Sequence, residues 1–235
     1  MATFKDLCMD STDPRLVASF WGPALGLTSE HQDNGDVALR ASRPAEQLWI
    51  NSVSEPKTVK NRVHLDLHTV SVEALEKLGA TVRPEQDAAD RWTVMLDPEG
   101  NELCAFVREP ERVPAYPVYE LVVDSVDHVR IGQWWADVFG VELRKEDGDD
   151  WTWLEGVPGM PFEAWVFGDV PEPKAVKNRI HWDLRGVTEE FVAAGADLQR
   201  RHDHEIGWDV LTDPEGNEFC VFAPPTAPSV LHGPC

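Results

Sequence analysis

The chain has few tyrosines, few cysteines and few basic residues, and each shortage narrows what it can be. Four cysteines, Cys8, Cys104, Cys220 and Cys235, show no CxxC spacing, which argues against a zinc-knuckle or disulfide framework and for reduced thiols. Lysine and arginine together number 21 against 42 acidic residues, a formal charge of −21. Such a surface repels phosphate backbones and anionic bilayers, so neither nucleic acid nor membrane is an expected partner. No apolar run approaches the length of a membrane span. The start, MATFKDLCMD, lacks the basic and apolar regions of a secretory leader, so a cytoplasmic protein is expected.

Two tyrosines stand against ten tryptophans. Indoles fill cores or line small-molecule pockets, and composition alone does not separate the two. With 42% apolar and 27% charged residues the 235-residue chain reads as one large globular domain or two of ordinary size.

An internal repeat decides between these. EPKTVKNRVHLDL (Glu55 to Leu67) returns as EPKAVKNRIHWDL (Glu172 to Leu184), identical at ten of thirteen positions. LDPEGNELCAF (Leu96 to Phe106) returns as TDPEGNEFCVF (Thr212 to Phe222), identical at eight of eleven. His64 lies 117 residues before His181, and FWGPALG, ending at Gly26, precedes WWADVFG, ending at Gly140, by 114. A period this long means duplicated domains rather than a solenoid. The expected division is residues 1–109 and 118–223, joined by a Pro-rich linker at 110–117 and followed by a Pro-rich tail at 224–235.

Within the first copy, FKDLCM alternates as a strand should. DPRLVASFWGPALG reads as a helix with Asp13 as N-cap, Pro14 in the first turn and Gly26 as the stop. Strands VALR and QLWINSV follow. The order then restarts with strand RVHLDLH, helix SVEALEKLGA and strands TVRPE, WTVML and ELCAFV. This α+β pattern is βαβββ, written twice per copy, four modules in all. In DPEGN, Asp97 and Pro98 suit the opening of a type I turn and Gly100 its positive-φ close.

Strand parity then sorts the side chains. Leu7 with Met9, Leu65 with Leu67 and Leu103 with Ala105 face the helices. The opposite faces carry Asp6 and Cys8, then His64, Asp66 and His68, then Glu102 and Cys104. In the second copy they carry Glu120 and Asp124, His181, Asp183 and Arg185, and Glu218 and Cys220. Two explanations stand: an antiparallel sheet with one face in water, or a sheet curved into a cup whose polar lining meets a ligand. His, Asp and Cys together are an uncommon solvent face, and His is both the proton carrier near pH 7 and a frequent metal ligand.

The βαβββ modules, the KNRxHxDL strand and the DPEGNE turn together resemble the vicinal-oxygen-chelate superfamily, the glyoxalase, bleomycin-resistance and extradiol-dioxygenase group, and within it an actinobacterial glyoxalase-like branch. The resemblance covers nearly the whole chain. It implies curved mixed sheets forming a cup, two modules per domain. It also implies a divalent metal position (Zn, Ni, Mn or Fe) at Asp6, His64, Glu120 and His181. The position of the family's terminal carboxylate falls on Cys104 and Cys220, with Glu102 and Glu218 two residues earlier. A fourth position falls near Trp49 or Asn51 and near Trp165 or Phe167. One His, one acid and one Cys are poor iron-oxygenase ligands, so dioxygenase activity is not expected.

Two functions follow. In the first, the protein encloses a small organic molecule in the manner of bleomycin-resistance members, with Trp49, Trp153, Trp165, Trp182 and Trp208 as candidate stacking surfaces and Asn51, Asp66, Cys104, Phe167, Asp183 and Cys220 as further lining residues. In the second, a metal-dependent lyase or isomerase, the metal would hold two substrate oxygens while Glu102 or Glu218 moves a proton. Acid–base chemistry by the His64–Asp66 and His181–Asp183 pairs is a third possibility, but alternate residues on a strand sit about 7 Å apart, too far for a direct bond. Lys60, Asn61 and Arg62 and their copies Lys177, Asn178 and Arg179 could meet an anion, although local duties suit them better: Asn in the turn, Arg on acids of its own copy. A monomer or a homodimer is expected.

Overall fold

The computed structural model describes residues 2–84 and 91–224; the tail at 225–235, with His232 and Cys235, lies outside them. Each module opens with the strand and helix that its sequence specifies. In the first, β1 (Thr3–Ser11) leads into α1 (Pro14–Leu25). Asp13 caps the helix by accepting from the Leu16 amide at 3.0 Å. Gly26 ends it in the left-handed region, φ 68°, where an L side chain would be strained. Strands β2 (Thr28–His31), β3 (Val37–Arg40) and β4 (Leu48–Ser52) complete the unit. The second module comprises β5 (Val63–Thr69), α2 (Val72–Glu76), β6 (Thr81–Val82), β7 (Thr93–Leu96) and β8 (Glu102–Val107). The third comprises β9 (Val118–Ser125), α3 (His128–Phe139), β10 (Leu143–Arg144), β11 (Trp151–Glu155) and β12 (Ala164–Asp169). The fourth comprises β13 (Ile180–Arg185), α4 (Thr188–Ala194), β14 (Asp197–Arg200), β15 (Asp209–Thr212) and β16 (Glu218–Phe222).

The modules combine into two eight-stranded mixed sheets, and both cross the sequence repeat. One runs β14-β15-β16-β13-β1-β4-β3-β2, so the first module joins the fourth through the antiparallel pair β1–β13. The other runs β10-β11-β12-β9-β5-β8-β7-β6, joining the third to the second through β5–β9. Each curved sheet therefore takes half of its strands from each copy.

Both central pairs carry a β-bulge at the same place. On β1, Phe4 pairs with Leu184 and Asp6 with Asp183, leaving Lys5 as the extra residue. On β9, Val118 pairs with Leu67 and Glu120 with Asp66, leaving Tyr119. A bulge breaks the two-residue alternation and re-aims the residue beside it.

The apolar faces meet in one core. Leu7, Met9, Leu65, Leu67, Leu103 and Ala105 are fully buried there. Trp135 of α3 lies 5.0 Å from the ring of Trp165 on β12, and Trp165 lies 4.7 Å from Trp182 on β13, so indoles from both sheets pack together. Phe167 shares that face and is also fully buried. Trp165, Phe167 and Trp182 are thus core residues rather than stacking surfaces. The pairing of Val166 with Val122 and of Gly168 with Asp124 shows which β12 positions face the other way.

Candidate functional site

The concave face of the β5–β9 sheet gathers polar side chains from three neighbouring strands. Asp66 on β5 stands in register with Cys104 on β8 and Glu120 on β9. His64, Asp66 and Cys104 present donor atoms within 4.8 Å of one another. His64 Nε2 lies 3.4 Å from Asp66 Oδ1, much closer than strand spacing alone predicts, because the side chains lean together. Yet Asp66 Oδ1 and His64 Nδ1 are buried with no hydrogen-bond partner in the protein. Buried polar atoms ordinarily have one, so both atoms have hydrogen-bonding capacity that the protein leaves unused.

Burial sets the protonation of these groups. It pushes Asp66 well above the carboxylate range, and the neighbouring Glu120 pushes it further. Burial likewise lifts Glu120 to about 7 and lowers His64 to about 4. The Cys104 thiol is pushed up, again chiefly by burial, and stays protonated. Burial on the floor of this cup therefore favours the uncharged forms of the imidazole, the thiol and both carboxyl groups.

Two residues further along the same strands, where His68 pairs with Phe106, runs a row of rings. Trp92 stacks on Phe106 at 5.7 Å, Phe106 meets Tyr119 edge-on at 5.1 Å, and Tyr119 lies 4.4 Å from His68. Arg108 lies over Phe106 at 5.3 Å. Alternation along the sequence missed Tyr119, because the bulge turns it toward the cup. Phe106, two residues beyond Cys104 on the same strand face, was open to inference.

The β1–β13 cup is built alike and filled differently. Cys8, His181 and Asp183 bring donor atoms within 4.8 Å, and Asp183 stands in register with Asp6 and Cys220. Cys8 Sγ donates to Asp183 at 3.6 Å. Burial, then the nearby Asp183, raises Asp6 to about 7. Lys5, turned inward by its bulge, donates to both oxygens of Asp6 at 2.9 Å and to Asp183 at 3.1 Å. Its ammonium also lies 4.1 Å above the ring of Phe222, on which Trp208 stacks at 5.3 Å. Trp49 pairs with Cys8 across the strands and carries the Arg40 guanidinium 4.6 Å from its ring, while Asn51 donates to Asp10 at 3.5 Å.

Glu102 and Glu218, the proton-moving candidates, have another duty. Both oxygens of Glu102 are taken, one by the Lys57 ammonium at 3.1 Å and the other by the Asn61 amide at 3.1 Å. Glu218 accepts from Lys174 at 2.7 Å and from the Asn178 amide at 3.1 Å. Asn61 also donates to Asn101 at 3.0 Å, so the two repeated phrases are partners in one loop network.

The arginines do not pair with acids of their own copy, as the sequence suggested. Arg62 donates to the Glu172 carbonyl at 2.6 Å, and Arg179 to the Glu55 carbonyl at 2.5 Å and to Glu99 at 3.2 Å. Lys60 binds Asp124, and Lys177 binds Asp10 at 2.5 Å. Because the sheets cross the repeat, each loop fastens onto the opposite copy. A cavity of about 860 Å³ lies between these two loops, lined by Val59, Lys60, Val176 and Lys177 among others; the His–Asp–Cys groups are not part of its lining.

Curved sheets made from paired βαβββ modules, with His, acid and Cys donors on the concave face, define a protein of the vicinal-oxygen-chelate type. The glyoxalase-like domain family matches residues 6–106 and 120–222, and the chain belongs to it. No curated protein matches the sequence. Among solved structures, glyoxalase I from Zea mays aligns with a TM-score of 0.68 at 12% identity, over 94% of this chain and 92% of that one. A point variant of it aligns with a TM-score of 0.67, at 12% identity over 94% of each chain. A Bacillus subtilis protein provisionally named a dioxygenase gives 0.64 at 12% identity, over 95% of this chain and 85% of that one. At such identity the likeness concerns the fold alone. Among the described residues, no helix is long and apolar enough to cross a membrane.

Proposed function

We propose that the protein encloses a small organic molecule in the β5–β9 cup, as a bleomycin-resistance-like binding protein does. The ligand class is a flat aromatic compound with a hydrogen-bonding end. The observation that carries this reading is the pair of unpartnered buried atoms, Asp66 Oδ1 and His64 Nδ1, beside the aromatic row on the same strands. The rings of Trp92, Phe106 and Tyr119 offer flat apolar surface, and the floor offers a carboxyl pair, an imidazole and a thiol within reach of a hydroxyl or amino group.

The convergent donors support a second reading, a metal-dependent lyase or isomerase. His64, Asp66 and Cys104 suit zinc, which accepts mixed nitrogen, oxygen and sulfur ligands, and the unpartnered atoms suit it too. When bound there, the ion would polarise a substrate oxygen. Glu120, lifted to about 7, is the chain's own group fitted to take and return a proton near neutrality.

A thermal-shift screen of hydroxylated and amino-substituted aromatic compounds, run on metal-free protein and again with Zn, Ni, Mn or Fe, separates the readings. Stabilisation of metal-free protein that is lost in Trp92→Ala and Asp66→Ala supports binding without a metal. Stabilisation seen only with a metal supports the lyase or isomerase. No shift under any condition would sink both.

A further inference from the structure

The two cups share a plan but differ in the residue at the bulge. In one it is Tyr119, which brings no charge; in the other it is Lys5, whose ammonium sits between carboxylates on two strands. We infer that Lys5 is the resident cation of the β1–β13 cup, filling the place a divalent ion would take, so that this duplicated chain has one cup open to a metal and one closed to it.

Three observations carry the inference. An ammonium has three N–H donors, and three carboxylate oxygens accept from Lys5 at 2.9, 2.9 and 3.1 Å, so the group is saturated as a ligated cation would be. One of those acceptors, Asp183, belongs to the Cys8–His181–Asp183 group whose donors would otherwise converge on a metal. Lastly, the Lys5 ammonium lies 4.1 Å from the centroid of the Phe222 ring, a further favourable contact for a cation at that place. A divalent ion at Asp183 would have to displace this ammonium or sit within a few ångströms of it, and that repulsion is severe at a partly buried site.

The consequence is a division of labour between equivalent sites. The β1–β13 cup carries its own cation against Asp6 and Asp183, whatever the β5–β9 cup holds. The sequence repeat hides this, because His181, Asp183 and Cys220 copy His64, Asp66 and Cys104, while the differences lie on β1 and β9: Lys5 against Tyr119 at the bulge, and Cys8 opposite His181 where Val122 stands opposite His64.

Titration with Co(II), followed by desalting and metal analysis, tests this on the full chain. Wild-type protein is expected to retain no more than about one equivalent, unaffected by Cys8→Ser. Lys5→Met and Lys5→Gln are each expected to gain about one further equivalent, with a thiolate-to-cobalt absorption band that disappears when Cys8→Ser is added. Two equivalents in wild-type protein, with a band that depends on Cys8, would overturn the inference. So would the absence of any gain in folded Lys5→Met and Lys5→Gln. If neither variant folds, the wild-type count with and without Cys8→Ser decides. Wild-type protein that retains none while Lys5→Met retains about one equivalent upholds the role of Lys5 and removes the metal reading of the β5–β9 cup.

Discussion

The indole Nε1 of Trp21 donates to Oδ2 of Asp97 across 2.9 Å, tying α1 of the first module to the β7–β8 turn of the second. Trp135 and Asp213 repeat the bond at 3.2 Å in the second copy. Asp97 also accepts from the amides of Glu99 and Asn101 and from the Asn101 side chain, all at 2.8–2.9 Å. The DPEGN phrase thus does more than turn a corner. Its buried carboxylate joins the helix of one module to the loop network of the next.

Removing that carboxylate strands several buried donors at once. Asp97→Ala is expected to destabilise the protein by about 3 kcal/mol, since each buried group left unpaired costs about 1–3 kcal/mol. Trp21→Phe keeps most of the ring's packing and loses the bond, so about 1 kcal/mol is expected. Urea unfolding of the two single variants and the double variant checks this. The double variant should cost less than the sum of the singles, because one bond cannot be lost twice.

Strand parity placed His64 with Asp66 and Cys8 with Asp6 on the concave faces, because β5 along that stretch and β1 from Asp6 onward alternate cleanly. It failed at Lys5 and Tyr119, where a bulge inserts one residue and sends two neighbours to the same side. A buried lysine beside Leu7 and Met9 was the available signal, since an unpaired charge under the helices would be costly. Trp165 and Phe167 were placed at the site by the family resemblance alone, and AWVFGD, apolar on both faces, left parity nothing with which to move them into the core. The exchange of modules between sheets was not legible, for a repeat records what each copy contains and not which copy it pairs with.

The two acids near the β5–β9 floor should separate by variant. Glu102 is occupied by Lys57 and Asn61, so Glu102→Ala should lower stability by about 2 kcal/mol while leaving the affinity of a stabilising aromatic compound within about twofold. Glu120→Gln should do the reverse, lowering affinity about tenfold with little loss of stability. Calorimetric titration beside urea unfolding reads both quantities. A large affinity loss in Glu102→Ala alone would restore that residue to the site.

The pH dependence of stability has a definite sign at this floor. Glu120 is raised from an ordinary carboxylate value to about 7, and Asp66 is raised well above its own. The folded state therefore keeps protons there that the unfolded state has released, and these two groups make stability fall as pH rises through about 5 to 7. His64, lowered to about 4, acts oppositely: its contribution is present above the unfolded imidazole value and is lost as pH falls toward 4. Two acids outweigh one imidazole, so unfolding free energy should be greater near pH 5.5 than near pH 8. Glu120→Gln should flatten the slope between them, and an unchanged slope would show that Glu120 does not retain its proton.

The crossed sheets predict how the chain behaves when cut. A break between Val113 and Pro114, in the stretch joining the copies, leaves β1 without β13 and β5 without β9, the central antiparallel pairs of both sheets. Arg62 and Arg179 would also lose the carbonyls of Glu172 and Glu55. Each half alone then exposes two long, half-buried strand edges, a state that favours association. Halves 1–113 and 114–235 produced separately should therefore be insoluble or self-associate, whereas co-expression should give a one-to-one complex that co-purifies and unfolds as a unit. Light scattering on the separated halves decides the point. A stable, monodisperse monomer from either half would mean that its two modules close a sheet by themselves, and the cross-copy pairing would not be what holds the cups together.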